Sequence, residues 1–162
     1  LSREANQTVA EQIDLSREAN RAVAEQLQLS RTIALGEFLL NVDKMFDQHQ
    51  EVHLALRPGG KWSQKGNAPQ SGEEWAKVED YMGLMEQYYV LVDKGIIDKE
   101  IVRHFIKYRL QNIFNNETIR KTRLEDPTQR YRWTQFIAFC KLLEIEGIDE
   151  LADGDHSQEP IV

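Results

Sequence analysis

The first 28 residues consist of two copies of one 14-residue unit, LSREANQTVAEQID followed by LSREANRAVAEQLQ, and ten of the fourteen positions are identical. The segment Leu29–Arg31 then begins a third copy. Fourteen residues are two heptads, the repeat length that keeps one face of a helix turned towards a partner helix over a long distance. No Pro or Gly precedes Gly36. This pattern predicts a long helix that serves as a stalk, a spacer or an oligomerisation device.

Aliphatic residues recur along this helix, which we expect to run from Leu1 to about Leu54 and to bend, if anywhere, at Gly36. Such a helix would be about 80 Å long. A bundle built from the rest of the chain would be only about 30–40 Å across, and it cannot cover the first thirty residues. We therefore predict a homo-oligomer, with a dimer favoured. The residues predicted to carry oligomerisation, called the apolar stripe below, are Leu1, Val9, Ile13, Leu15, Val23 and Leu27.

Composition sets the class of protein. The chain has 162 residues and a formal net charge of −7, which argues against a bulk binder of nucleic acid or anionic membranes. No stretch approaches the roughly 20 apolar residues of a membrane-spanning helix, and no signal peptide is visible. The single cysteine, Cys140, lies in an apolar run and is expected to be a buried thiol in a reducing compartment. Because the chain starts in mid-repeat without Met, we expect it to be a fragment. We also expect the protein to be located in the cytoplasm.

Hydrophobic spacing indicates an all-α protein without strands. We predict a helical stalk over 1–32, a bundle of about four core helices over 33–152 and a disordered tail over 153–162. A breaker-rich loop is expected from Arg57 to Gly72. A short helix is expected from Glu117 to Leu124, and the last main helix from Thr128 to Glu146. Helix ends are predicted at Ser71 with Glu74, Gly95, Asp98, Asp126–Pro127 and Gly147.

His49 and His53 are four residues apart in the predicted first helix. Two imidazoles at this spacing share a helix face and can chelate a divalent metal. The zinc-protease pattern requires Glu directly after the first His, however, and Gln50 stands there. We interpret the pair as solvated helix positions, with a metal site as the alternative. No metal and no cofactor are predicted.

The segment from Arg103 to Arg132 carries a net charge of +5, whereas the rest of the chain carries −12. We interpret this positive charge as balanced within the chain by acidic helices. The acidic residues concerned are Glu73, Glu74, Glu79, Asp80 and Glu86. The alternative is a surface for nucleic acid or another anionic ligand. Nucleic acid is not an expected partner, because acidic neighbours dilute the basic charge. The candidate surface residues are Arg109, Arg120, Lys121, Arg123, Arg130 and Arg132.

No Ser/His/Asp or Cys/His set can be assembled from the sequence, and catalytic residues are not predicted. The favoured interpretation is a non-enzymatic interaction and oligomerisation module. The second is a nucleic-acid or nucleotide-sensing regulator that uses residues 103–132. The third is a metal-dependent enzyme that uses His49 and His53.

From about residue 34 to 143 the chain resembles a bacterial helical domain family of unknown function, whose members often begin with a transmembrane helix and a helical linker. The resemblance rests on Phe38–Phe46 and on the hairpin from Tyr88 to Tyr108, with its turn Asp93–Asp98. It implies a helical cytosolic domain held near the inner face of a membrane by a segment that precedes residue 1. It implies no established activity.

Overall fold

The computed structural model describes residues 2–151, so Leu1 and the predicted tail over 153–162 lie outside the described residues. The described chain is helical and contains no strand, and the predicted all-α class is confirmed. It divides into two compact units, Leu1–Phe46 and Asp47–Val162. The division lies further along the chain than the boundary between 32 and 33 that the sequence suggested.

The first helix, α1, runs without interruption through Gly36 from Arg3 to Asp47, about 68 Å at 1.5 Å per residue. The prediction of one helix to Leu54 is wrong. Gln48 and His49 form a turn, and a second helix, α2, spans Gln50–Leu56. His49 breaks the helix because its backbone, with φ −112° and ψ 15°, lies outside the helical region. Within residues 2–151, no helix is both long and apolar enough to cross a membrane.

The second unit is organised around three helices, α3 (Gly72–Asp93), α4 (Lys99–Asn115) and α7 (Thr134–Leu142). The helix α3 packs most extensively on α7 and also contacts α2 and α4. Apolar side chains at helical spacing on these elements make the core. Its largest fully buried members include Tyr81, Met82, Met85, Ile106, Leu110, Ile113, Phe136 and Phe139.

Four of the five predicted helix ends are confirmed, and the one at Gly147 is wrong. Ser71 and Glu74 form a reciprocal capping box at the start of α3. The carboxylates of Asp98 and Asp126 each accept a backbone N–H two residues ahead, from Glu100 and Thr128. Gly95, with φ 68°, lies in the left-handed region just after α3, where a glycine ends a helix without strain. Gly147, with φ 86°, is also left-handed, but it lies five residues beyond the end of α7 and begins a 3₁₀ turn.

Two helix predictions in the last third of the chain need correction. The expected helix Thr128–Glu146 is divided into α6 (Pro127–Arg130), a 3₁₀ turn (Tyr131–Trp133) and α7, which ends at Leu142. The break falls at Trp133, whose backbone leaves the helical region while its side chain is buried. The expected helix Glu117–Leu124 is a short α5 (Glu117–Ile119) followed by a π-helical turn, Arg120–Glu125.

The loop after α2 is fastened to the bundle by one buried side chain. Asn116, only 6% exposed, donates from its amide nitrogen to the carbonyls of Trp62 at 2.9 Å and Asn67 at 3.0 Å. Its amide oxygen accepts from the N–H of Ile119 and caps α5. Trp62 is itself buried, and its backbone N–H donates to the carbonyl of Ala55. The loop is thus held at both Trp62 and Asn67.

We predict that Asn116→Asp destabilises the second unit by about 2–4 kcal/mol. Aspartate keeps the oxygen that caps α5 but cannot donate to either carbonyl, and each unsatisfied buried group costs about 1–3 kcal/mol. Urea denaturation followed by tryptophan fluorescence measures the change, and hydrogen exchange over residues 57–71 should accelerate. Asn115→Asp, at the exposed neighbouring position, is the matched control. Equal stability losses in the two variants would contradict this role of Asn116.

Candidate functional site

The apolar stripe is a set of exposed aliphatic side chains on α1. Its described members are 46–67% exposed, and Leu1 lies outside the described residues. Aliphatic residues normally stabilise a helix by packing one face against another element. A row of half-exposed aliphatic side chains over about five helical turns is therefore a surface whose burial lowers the free energy. The exposed fractions are Val9 54%, Ile13 46%, Leu15 66%, Val23 67% and Leu27 51%.

Small and polar side chains share this face with the stripe. Ala5 and Ala19 occupy equivalent positions in the two copies of the repeat, and so do Ser2 and Ser16. They permit another helix to approach closely, although they add little apolar area. Since both copies present the same residues in the same order, the surface can pair with an identical one.

The two histidines do not lie on one helix face as predicted, because His49 belongs to the turn before α2. The ring of His49 lies 5.6 Å from the ring of Tyr81, whereas the ring of His53 lies 5.8 Å from that of Tyr108. Each imidazole thus packs on a different tyrosine. In the described part of the chain, no group of three His, Cys, Asp or Glu residues could hold a metal ion.

The histidines instead belong to a cluster that the sequence did not reveal. It is called the histidine cluster below, and it comprises His49, His53, Tyr81, Tyr108 and Arg109. A guanidinium nitrogen of Arg109 donates to the Tyr81 hydroxyl at 3.1 Å, and the Arg109 guanidinium lies 5.1 Å from the centre of the Tyr108 ring. Burial raises the pKa of Tyr81 to about 12, so the phenol keeps its proton at neutral pH.

The electrostatics of the cluster favour uncharged imidazoles. Burial lowers the pKa of His49, although the carboxylate of Asp80 opposes the effect. Burial also lowers the pKa of His53, and the charges of Arg109 and Arg57 lower it further. A groove of about 130 Å³ beside His49 is lined by side chains of both signs. This arrangement makes the packing of α2 on α3 and α4 sensitive to acid.

We predict that stability falls as the pH drops below about 6.5. The pKa of such a histidine is lower in the folded than in the unfolded protein, so the folded protein binds fewer protons. Its contribution to the free energy of unfolding is therefore present above pH 6.5 and is lost on acidification. Thermal denaturation at about pH 7.5 and about pH 5.5 should show a smaller acid-induced decrease in Tm for His53→Gln than for the parent. The exposed His104→Gln is the control and should behave like the parent. An unchanged acid-induced decrease in His53→Gln would contradict the prediction.

Most of the candidate basic surface residues are engaged inside the chain. Lys121 pairs with Glu117 at 2.6 Å, four residues away, and Arg120 pairs with Glu125 at 3.3 Å. The latter spacing of five residues matches one turn of π-helix. Arg109 belongs to the histidine cluster. Arg130 is half-buried, while Arg132 and the neighbouring Tyr131 are exposed.

Arg123 forms an ion pair between the basic segment and the predicted acidic helix. Its guanidinium contacts Glu79 at 2.8 Å and lies 4.0 Å from the centre of the Trp75 ring. Trp75 and Glu79 are four apart on α3 and thus share a face. The expected partners Glu73 and Glu74 pair instead with Lys77 and Lys61. The predicted pairing of the basic segment with the acidic helix is therefore present at Glu79.

Glu86, another expected partner of the basic segment, has a structural contact instead. It accepts the N–H of Phe136 in the first turn of α7, and burial raises the pKa of its carboxyl group. Glu86 therefore caps α7 from α3, and the N-cap residue of α7 makes no side-chain hydrogen bond of its own.

We predict that Arg123→Ala lowers the free energy of unfolding by about 1–2 kcal/mol, because it removes a partly buried ion pair and a cation–π contact together. Lys121→Ala should change it little, since that pair is solvent-exposed. Arg123→Lys should recover only part of the loss, because an ammonium cannot stack on Trp75 as a planar guanidinium does. Urea denaturation of the three variants provides the comparison. Full recovery by lysine would contradict the stacking role.

Cys140 is fully buried on α7, as predicted, and burial raises the pKa of its thiol. A thiol in this state is a poor nucleophile and a poor metal ligand.

Comparisons with known proteins found no matching family model, no matching curated protein and no matching solved structure. The resemblance of residues 34–143 to a bacterial helical family stays a prediction.

Proposed function

We propose that this chain is a non-enzymatic oligomerisation and interaction module. In this proposal α1 joins copies of the chain through the apolar stripe, and the second unit presents its surface to other proteins. Homo-oligomerisation brings several copies of that surface together, which raises the effective concentration at which a partner meets them. A dimer is the smallest such assembly.

The observation that carries the proposal is the exposure of the apolar stripe along an uninterrupted 45-residue helix. A single solvated helix derives little stability from propensity alone, and long helices are normally stabilised by packing of their apolar face. The 14-residue repeat supplies the same residues at a spacing that suits helix-on-helix packing. A matching surface on an identical chain therefore covers the stripe without any further partner.

The setting of the module is part of the proposal. We place it in the cytoplasm of a bacterium and close to a membrane, on the support of the resemblance carried by Phe38–Phe46 and by the hairpin from Tyr88 to Tyr108. The alternative functions have less support. A polyanion surface must compete with the carboxylate partners of Arg120, Lys121 and Arg123. A metal-dependent reaction would require His49 and His53 to act together, yet they pack on different tyrosines.

The test is to change Val23 and Leu27 to serine in the full chain and to measure mass by light scattering. Each buried aliphatic side chain contributes roughly 1.5–3 kcal/mol, and about 1.4 kcal/mol corresponds to tenfold in affinity. We expect self-association to weaken by more than about 100-fold. The parent should be oligomeric under the same conditions.

The matched control changes Gln7 and Gln28, on the opposite side of α1, to serine. It introduces the same residue type into the same helix and should leave the mass of the oligomer unchanged. A parent chain that remains a monomer of 18.9 kDa at high concentration would contradict the proposal. Equal weakening by both pairs of substitutions would show that helix propensity, rather than the stripe, controls assembly.

A further inference from the structure

We propose that Gln12 and Gln26 fix the axial register in which copies of α1 pack, because their side-chain amides pair with one another across the interface. This inference rests on the proposed function, since it concerns the same assembly through the apolar stripe. It follows from where the two glutamines lie on the helix and from the repeat that separates them.

The two glutamines lie near the centre of the face that carries the stripe. They belong to a row of residues that recur every seven positions along α1, called the central row below. In a heptad frame this row lies between Leu15 and Val23, about 51° from each. The stripe extends about 154° around the helix, from Leu15 to Leu27, and its middle lies only about 26° from the central row. The row is therefore turned towards a copy that packs on the stripe. Its members are Ala5, Gln12, Ala19, Gln26, Ile33 and Leu40.

Both amides are available to another chain. Gln12 and Gln26 are exposed, and within residues 2–151 no hydrogen bond engages either side chain. Gln7, on the opposite side of α1, donates instead to Glu11 at 3.3 Å. A carboxamide both donates and accepts, so two glutamines can bond to each other. A copy packed on the stripe removes water from the central row, and each carboxamide then needs a partner on the other helix.

The spacing of the glutamines decides which registers supply that partner. Without a shift, glutamine meets its own counterpart in a parallel pair, and Gln12 meets Gln26 in an antiparallel pair centred on Ala19. A shift of seven residues places the glutamines opposite Ala5, Ala19 or Ile33, none of which has a side chain that can form a hydrogen bond. A shift of fourteen leaves one glutamine of each copy unpaired and one repeat uncovered. Only the unshifted register pairs every carboxamide.

The aliphatic residues alone do not make this choice. In a parallel pair, a shift of seven places Leu15 opposite Ala22 and Val9 opposite Ser16. Large side chains would then meet small ones, which suits close packing. Each buried carboxamide without a partner weakens association by roughly five- to 150-fold, and this penalty excludes the shifted registers. Glutamine thus lowers the affinity of the interface relative to an apolar residue and gives it a single register.

Disulfide linkage at Ala19 in the full chain measures the register. The Ala19 residues of two copies meet when the central rows are aligned without a shift, in a parallel or an antiparallel pair. A shift of seven separates them by about 10.5 Å in height. A disulfide forms only when the two Cα atoms come within about 7 Å. Ala19→Cys is therefore compared with the same change in a chain that also carries Gln12→Leu and Gln26→Leu. The buried Cys140 is the only other thiol.

We expect Ala19→Cys to form a disulfide-linked dimer under mild oxidation. At concentrations where both chains are fully associated, the two leucines should lower its yield about twofold or more, because shifted registers then become populated. The leucine chain should also self-associate about tenfold more tightly, since leucine buries apolar area without an unmet hydrogen bond. Gln7→Leu with Gln28→Leu, on the opposite side of α1, is the matched control and should change neither quantity.

Equal linkage with and without the two leucines would overturn the inference and leave the proposed function intact. The same holds if Ala19→Cys chains associate without linking. Weaker association of the leucine chain would also overturn the inference, since the carboxamides would then add to the affinity. A chain that stays monomeric at every concentration would overturn both the inference and the proposed function.

Discussion

The exposed aliphatic face of α1 is the constraint on which this account of the protein depends. A helix of 45 residues spans a distance far greater than the width of a small bundle, and its repeat places the same apolar residues on one face again and again. Water contact along that face is unfavourable at roughly 25 cal/mol for each Å² of apolar area. The proposed association therefore rests on this face of the repeat.

The second unit is stabilised in a different way. Its helices are fixed by a core of apolar and aromatic side chains, and its polar groups are used mainly to hold elements in place. Asn116 ties the loop to α5, Arg123 links the π-helical turn to α3, and Glu86 caps α7. In the histidine cluster, His49 and His53 pack on tyrosines of α3 and α4, and burial lowers the pKa of both imidazoles. These groups act as structural contacts.

The accuracy of sequence reasoning depended on the range of the interactions. Ser71, Asp98 and Gly95 were predictable as helix ends, because each acts on residues within a few positions of itself. The helix break at His49 was not predictable, because no Gly or Pro marks it. It depends on distant residues, since the imidazoles of His49 and His53 pack on α3 and α4. The role of Asn116 was equally hidden, because its carbonyl acceptors lie 54 and 49 residues away. The apolar stripe was predictable because periodicity is a local property, whereas what covers it depends on another molecule.

The most direct test of the central claim follows mass and helicity together over a dilution series of the full chain. Sedimentation equilibrium gives the mass, and circular dichroism at about 222 nm gives the helix content of the same samples. We expect dilution to lower the mass towards 18.9 kDa and the helicity to fall in step, because separated stalks lose the packing that stabilises them. A mass of 18.9 kDa at every concentration, with undiminished helicity, would contradict it.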